Sequence, residues 1–184
     1  WSSGVCSSDL VPGSVFWLRQ SDAQAVQNLR AEVQRSGVDP ARLLFAPRVA
    51  DKTEHMARLA LADLSLDTIG WHSGHSTTNE LLCAGVPVLT ATGATFASRV
   101  GASLVTAAGL PELVARDAAE YLEIATSLGR DRARCAALKD KLRSNRSHAL
   151  LFDPRRIVAS LETVYTAMWQ VRQSGQPPRL IEMK

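Results

Sequence analysis

Between residues 15 and 90, short apolar runs that favour β-structure alternate with segments whose apolar residues recur at helical spacing. The runs predict strands over residues 15–18, 42–46, 64–67 and 87–90. The segments between them predict helices over residues 22–36, with Ser21 as N-cap, 54–62 and 77–83. Parallel strands need crossover connections of this length, and helices then cover both faces of the sheet. The alternation therefore predicts an α/β fold with a Rossmann-like parallel sheet and flanking helices.

From residue 96 onward the pattern changes to almost wholly helical. It predicts helices over residues 97–107, 110–114, 117–128, 130–145 and 154–172. We therefore expect one domain over residues 11–172, with a helical C-terminal extension, followed by a flexible tail over residues 173–184.

The first ten residues, WSSGVCSSDL, are rich in serine and have no apolar periodicity. The string resembles the translation of a common sequencing adapter, and we interpret residues 1–10 as an artefactual tail. Composition alone would favour an ordinary disordered terminus.

Composition excludes several classes of protein. The net charge of +3 comes from 21 basic and 18 acidic residues spread along the chain, without a basic block interleaved with aromatics, so we expect no nucleic-acid partner. The apolar runs are too short to span a membrane and nothing resembles a signal peptide, which predicts a cytoplasmic protein without a membrane partner. Cys6, Cys83 and Cys135 match no metal-ligand spacing, so no metal site is predicted.

The loop after the strand at 64–67 carries the clearest chemical signal. Gly70 and Gly74 allow close approach of a ligand to the backbone, and His75, Ser76 and Thr77 bring an imidazole and hydroxyls to the start of the next helix. Helix N-termini attract anions through free N–H groups and the helix dipole. We predict a diphosphate site here without a competing carboxylate in its immediate surroundings. The alternative is that one hydroxyl serves only as an N-cap.

A second loop follows the strand at 42–46 and should open on the same edge of the sheet. Lys52 and His55 are three residues apart in it, so they could face one ligand from the same side of a helix. The alternative is that each is a solvated surface residue.

Several motifs in a fixed order carry a family resemblance. They are VADKTEH at 49–55, LDT at 66–68, GHST at 74–77, AGVPVLT at 84–90, ASRV at 97–100, LPEL at 110–113 and LFD at 151–153. In this order they resemble the C-terminal half of the catalytic region of O-linked N-acetylglucosamine (O-GlcNAc) transferases, whose bacterial members commonly carry tetratricopeptide repeats upstream. The resemblance implies the C-terminal, UDP-sugar-binding lobe of a GT-B glycosyltransferase.

The resemblance also implies roles for individual residues. Ala50 matches a residue whose backbone contacts uracil, Lys52 one that lies against the ribose and base, and His55 a histidine beside the nucleotide. Gly74, His75, Ser76 and Thr77 match the turn that binds the diphosphate.

Two positions depart from the family pattern. Glu80 stands where the family has Asp, which would accept hydrogen bonds from the ribose hydroxyls. Asp51 stands where the family has Pro, which predicts a less rigid loop before Lys52.

The activity that the resemblance implies is transfer of N-acetylglucosamine from UDP-N-acetylglucosamine to serine or threonine of a protein, without a metal or other cofactor. The family's leaving-group lysine precedes the segment matching residues 11–18, and its N-terminal lobe supplies the candidate base and much of the acceptor site. We therefore expect a fragment that is inactive alone, contains no catalytic residue and depends on the missing lobe and repeats to bind protein acceptors. Two alternatives stay open: a glycosyltransferase of the same fold acting on asparagine or a small molecule, and a non-catalytic nucleotide-binding scaffold.

Overall fold

The computed structural model describes residues 11–69 and 74–181. The prediction of an artefactual tail over residues 1–10 lies outside the described residues, as does the prediction of close backbone approach at Gly70.

The described residues form five strands and seven α-helices. The strands are β1 (Phe16–Arg19), β2 (Leu43–Ala46), β3 (Ser65–Leu66), β4 (Val88–Ala91) and β5 (Val114–Ala115). The helices are α1 (Ala23–Arg35), α2 (Lys52–Leu59), α3 (Ser76–Cys83), α4 (Val100–Ala107), α5 (Ala118–Arg130), α6 (Arg132–Asn145) and α7 (Pro154–Gln173). Short 3-10 helices cover Pro40–Arg42, Pro111–Leu113 and Leu150–Phe152.

All strand pairs are parallel, which confirms the predicted α/β fold with flanking helices. β1 pairs with β2, and β4 pairs with β3 on one side and β5 on the other. Among the described residues the strands form two sheets of two and three strands, rather than the single sheet that the alternation predicted. The carboxyl ends of β3 and β4 lie next to each other, because Leu66 is in register with Leu89.

The core lies around β4, whose four residues are all buried. Side chains from α3, α4, α5 and α6 pack with it, including Leu82, Val105, Leu128 and Leu142. The N-terminal segment packs against α5, since an added Cβ on Gly129 would lie 2.6 Å from Val11 Cγ2. Helices α5 and α6 therefore belong to the same hydrophobic core as the central strand.

Strand β5 was not predicted from the sequence, where residues 110–114 were expected to form a helix. The structure has a 3-10 helix over Pro111–Leu113, followed at once by Val114 and Ala115 in a ladder with Thr90 and Ala91. Two residues are too few to show a period, and the strand exists only because β4 offers a free edge.

Most helix starts differ from the prediction by one to three residues; α2, for example, begins at Lys52 rather than at residue 54. Asp22, rather than Ser21, caps α1, since its Oδ1 accepts the Ala25 N–H at 2.9 Å. Helix α4 begins at Val100 rather than at residue 97, because Thr95 and the buried Ser98 bond to each other's main chain and side chain in a tight turn.

The chain after α6 is less buried. Helix α7 has no fully buried residue, and residues 176–181 have no regular structure. Flexibility of residues 173–184 stays a prediction. None of the helices in residues 11–69 and 74–181 is long and apolar enough to cross a membrane.

We predict that Leu142→Ala lowers the free energy of unfolding by about 2–5 kcal/mol, because Leu142 is fully buried and truncation leaves a cavity. Urea denaturation followed by circular dichroism measures the change. Leu61→Ala is the matched control, since Leu61 is 74% exposed and its loss should change stability by less than about 0.5 kcal/mol. Equal effects of the two substitutions would contradict the assignment of α6 to the core.

Candidate functional site

Three residues predicted to contact the nucleotide meet between α2 and α3. Lys52 Nζ donates a hydrogen bond to Glu80 Oε1, and His55 Nε2 lies 3.2 Å from Glu80 Oε2. Lys52 and His55 are one helical turn apart on α2, so both reach the same carboxylate. The structure thus brings together two residues from one loop and one from the next, as the shared sheet edge predicted.

The Glu80 carboxylate is held in its charged form. The hydrogen bond from Lys52, assisted by that from His55 and by the charge of Lys52, lowers the pKa of Glu80 below its ordinary value. The side chains of Glu80 and His55 are about 29% and 28% exposed, whereas that of Lys52 is 66% exposed. Lys52 can therefore move to meet a ligand at small cost, while Glu80 is held between the two helices.

Asp51 gives the Lys52 loop a defined end. Its Oδ1 accepts the Glu54 N–H at 2.8 Å, which makes Asp51 the N-cap of α2. The loss of rigidity expected from the absence of Pro is therefore offset by a cap that fixes where the helix starts. Ala50, the predicted uracil contact, is exposed directly before this cap.

The predicted diphosphate turn lies at the start of α3. His75 occupies the N-cap position without a side-chain capping bond, and Ser76 and Thr77 are exposed in the first turn. The His75 side chain thus does not cap the helix, and Ser76 and Thr77 lie inside the helix rather than at its N-cap position. Their role as diphosphate ligands stays a prediction. The first N–H groups of an α-helix have no intrahelical acceptor, so this end of α3 also presents backbone donors.

A cavity of about 460 Å³ opens at this turn. It is lined by residues of the β3 end and the α3 start, together with a few apolar side chains: Ser65, Leu66, Asp67, Thr68, Gly74, His75, Ser76, Thr77, Thr78, Leu81 and Val88. Ser76 and Glu80 are four residues apart, so the anion-attracting end of α3 and the Glu80 carboxylate lie along one face of the helix. This arrangement suits a ligand with a phosphate at one end and hydroxyls at the other.

Asp67 is the residue that the sequence reasoning missed. Its carboxylate lines the cavity, contrary to the expectation that no carboxylate lies there, but both its oxygens are engaged. Oδ1 accepts the Gly74 N–H at 2.7 Å, and Oδ2 accepts the Thr90 hydroxyl at 2.8 Å. The Gly74 N–H is therefore not available to a phosphate. The feature of the sequence that could have identified Asp67 is its position as an aspartate at the carboxyl end of a predicted strand.

Tyr121, on α5, also contacts Asp67 through a hydrogen bond. Its hydroxyl donates to the main-chain oxygen of Asp67 at 2.9 Å, and burial, with a contribution from the Asp67 charge, raises the pKa of Tyr121 well above its usual range. The phenol therefore stays neutral and keeps donating at any physiological pH.

A larger cavity of about 1180 Å³ lies between α4 and the start of α7. It includes Phe96, Arg99, His148 and Arg156 but none of the predicted donor-site residues. We place the candidate site at the smaller cavity, because Gly74, His75, Ser76 and Thr77 line it. Lys52, His55 and Glu80 do not line this cavity and meet instead farther along α3. In the part of the chain that the structure describes, no group of three or more His, Cys, Asp or Glu residues could hold a metal ion.

We predict that Glu80→Gln lowers stability at neutral pH but not in acid. The folded-state pKa of Glu80 lies below its ordinary value of 4.5, so its ion pairs stabilise the fold above that value. The contribution is lost as the pH falls through the lowered folded pKa. Urea denaturation between about pH 7 and pH 3 should show a difference from wild type that shrinks with acid. Glu162→Gln, on the exposed face of α7, is the control; a difference independent of pH would contradict the ion pairs.

We predict that Tyr121→Phe lowers the free energy of unfolding by about 1 kcal/mol, because the half-buried hydrogen bond to the main-chain oxygen of Asp67 is lost. Tyr165→Phe is the matched control on α7, where Tyr165 is 63% exposed, and should change stability by less than about 0.5 kcal/mol. Thermal unfolding compares the two; a Tyr121→Phe variant as stable as wild type would contradict the hydrogen bond.

Two of the curated proteins that the chain resembles carry closely related enzyme names. The chain is 37% identical over 167 residues to a UDP-N-acetylglucosamine–peptide N-acetylglucosaminyltransferase of Caenorhabditis elegans, which covers 91% of the chain and 14% of the relative. It is 38% identical over 170 residues to a probable enzyme of the same name, SEC, of Arabidopsis thaliana, which covers 92% of the chain and 17% of the relative. The chain thus spans about one sixth of the length of these curated relatives.

Among solved structures, a mutant O-GlcNAc transferase of Thermobaculum terrenum superposes with a TM-score of 0.79 at 34% identity, covering 89% of the chain and 32% of that structure. The profile of Glycosyl transferase family 41 matches residues 5–161. With the family profile matching most of the chain, this protein belongs to glycosyl transferase family 41.

Proposed function

We propose that this chain is the donor-binding part of a transferase that moves N-acetylglucosamine from UDP-N-acetylglucosamine to serine or threonine side chains of a protein. The observation that carries the proposal is the juxtaposition of the His75–Thr77 turn with the Lys52, His55 and Glu80 cluster, on a chain of glycosyl transferase family 41. The first group suits a diphosphate and the second a ribose and base.

The N-terminus of α3 would hold the diphosphate. The helix dipole corresponds to about half a positive charge at this end. The Ser76 and Thr77 hydroxyls and the His75 imidazole are exposed beside it. These groups stabilise the charge that develops on departing UDP without a metal, since they are aimed before the reaction begins. Metal-independent transfer is therefore part of the proposal.

The Glu80 carboxylate would accept hydrogen bonds from the ribose hydroxyls. Its oxygens already accept from Lys52 and His55, and each carboxylate oxygen can accept more than one bond. Lys52, mostly exposed, would then lie over the ribose and base, and the backbone at Ala50 would meet uracil. The Glu80 side chain is longer than the aspartate of the family pattern, and its contact with two basic side chains keeps it in place.

The acceptor side of the reaction lies outside this chain in the proposal. Protein acceptors would bind the other lobe of the transferase and its upstream repeats, and the isolated chain would bind UDP without completing transfer. Nucleic-acid and membrane partners have no part in the proposal, and the enzyme would act in the cytoplasm. A purely structural role is less well supported, because His75, Ser76 and Thr77 all line the cavity with polar side chains.

The test is calorimetric titration of this chain with UDP, with ADP as the control nucleotide. We predict UDP-selective binding, and His75→Ala should raise the Kd for UDP by at least about tenfold, equivalent to about 1.4 kcal/mol. His148→Ala is the matched control, since His148 lines the other cavity, and should leave the Kd unchanged.

Binding of UDP and ADP with equal affinity, or an unchanged Kd in His75→Ala, would contradict the assignment. The same substitution in the complete transferase should lower the rate of sugar transfer to a peptide. A complete transferase that binds no UDP would contradict the proposed function as a whole.

A further inference from the structure

Four hydrogen bonds hold Asp67 at the end of β3, next to the candidate site. The Asp67 N–H donates to Leu89 O at 2.9 Å, and its main-chain oxygen accepts the Tyr121 hydroxyl at 2.9 Å. Its two carboxylate oxygens accept from the Gly74 N–H and the Thr90 hydroxyl. Asp67 thus contacts a neighbouring strand, helix α5 and the residue before His75.

The contact with Gly74 sets the position of the turn. Gly74 directly precedes His75, so the Asp67–Gly74 hydrogen bond closes the connection between the β3 end and the start of α3. Close packing reinforces it: a Cβ on Gly74 would lie 2.8 Å from Thr78 Oγ1 and 3.3 Å from Asp67 Oδ1. Thr78 is almost fully buried and β-branched, so it has little freedom to move aside. The hydrogen bond from Gly74 to Asp67 and the close packing against Thr78 together restrain the residue before His75.

We propose that Asp67 is a positioning residue for the donor site, holding the His75–Thr77 turn where it meets the diphosphate. The inference rests on the proposed function, since it assigns how that site is kept in place. Asp67 contacts the turn through Gly74 rather than supplying a group of its own to the ligand.

A direct role in binding the diphosphate or in proton transfer fits the geometry poorly. Both carboxylate oxygens already accept strong hydrogen bonds, and a negative charge beside a diphosphate would repel it. The useful property of Asp67 is therefore its pair of correctly spaced acceptors, one for Gly74 and one for Thr90. Hydrogen bonds to an ionised acceptor are also stronger than neutral ones, which suits a fixed support.

Substitutions at Asp67 and Thr90 separate the shape of Asp67 from its charge. In Asp67→Asn, the amide oxygen can still accept the Gly74 N–H, and the amide nitrogen can donate to the Thr90 hydroxyl, which rotates to accept. Asp67→Ala removes both contacts. Thr90→Val removes only one and leaves the Gly74 contact in place, so it provides an intermediate variant that tests the same network if Asp67→Ala does not fold.

The experiment measures two properties of the full chain and these variants. Amide hydrogen exchange without ligand reports the order of the turn through the Gly74 and Asn79 amides, which donate to Asp67 Oδ1 and to His75 O. Calorimetry reports the Kd for UDP. We expect Asp67→Ala to accelerate exchange at these amides and to raise the Kd at least about tenfold, because small displacements of binding groups are costly. Asp67→Asn should stay within about threefold of wild type in Kd, and Thr90→Val should fall between the two.

Asp131→Ala is the matched control. Asp131 caps α6 by accepting the Arg134 N–H at 2.9 Å, so its loss also removes a side-chain cap. It does not line the cavity and should lower stability without changing the Kd or the exchange of the Gly74 and Asn79 amides.

The outcomes distinguish this inference from the proposed function. Faster exchange in Asp67→Ala with an unchanged Kd would overturn the positioning role, as would an Asp67→Asn variant that binds as weakly as Asp67→Ala. If Asp67→Ala folds and its amide exchange equals that of wild type, the positioning role is overturned without reference to UDP. If only Thr90→Val folds, unchanged exchange in that variant has the same consequence. If the wild-type chain binds no UDP but Asp67→Ala still accelerates exchange relative to wild type, the result would contradict the assignment of the donor site. The same result would support the structural role of Asp67.

Discussion

The complete burial of β4 imposes a requirement that organises the neighbouring site. Thr90 lies in this strand with no exposed surface, so its hydroxyl must find a partner inside the protein. The partner is the Asp67 carboxylate at the end of the adjacent strand. The other oxygen of that carboxylate then accepts the Gly74 N–H and holds the start of α3. A polar group in the core thus determines where the anion-attracting end of a surface helix lies.

The proposed nucleoside end of the site depends on partly exposed ion pairs. Glu80 bonds to Lys52 and His55 between α2 and α3, two helices whose connection runs through β3. These groups are partly exposed, so the ion pairs contribute little to stability and can exchange partners when a ligand arrives. The proposed diphosphate end is therefore supported by half-buried hydrogen bonds to Asp67, whereas the proposed nucleoside end is adjustable. This division suits a site that binds a rigidly placed phosphate and releases the nucleotide after transfer.

Much of the architecture and of the candidate site was predictable because it is local in the chain. The periodicities of the helices and the apolar runs of β1, β2 and β4 are visible within short windows, and the predicted parallel arrangement is confirmed. Lys52 and His55 could be paired because three residues make one helical turn. Their meeting with Glu80 followed only from the general rule that parallel strands open at one edge. The ligand roles of all eight predicted donor-site residues, Ala50, Lys52, His55, Gly74, His75, Ser76, Thr77 and Glu80, stay predictions.

The sequence by itself determined the class of fold, the positions of most helices and strands, and the choice of polar residues beside the loops. Those properties depend on backbone propensity and on apolar spacing, which act between near neighbours. Only the tertiary structure decided that Val114 and Ala115 form a strand, that the Gly74 N–H is used by Asp67, and that Tyr121 supports the same residue from 54 positions away. These features depend on which groups burial brings together, because a buried donor or acceptor takes whatever partner the fold places beside it.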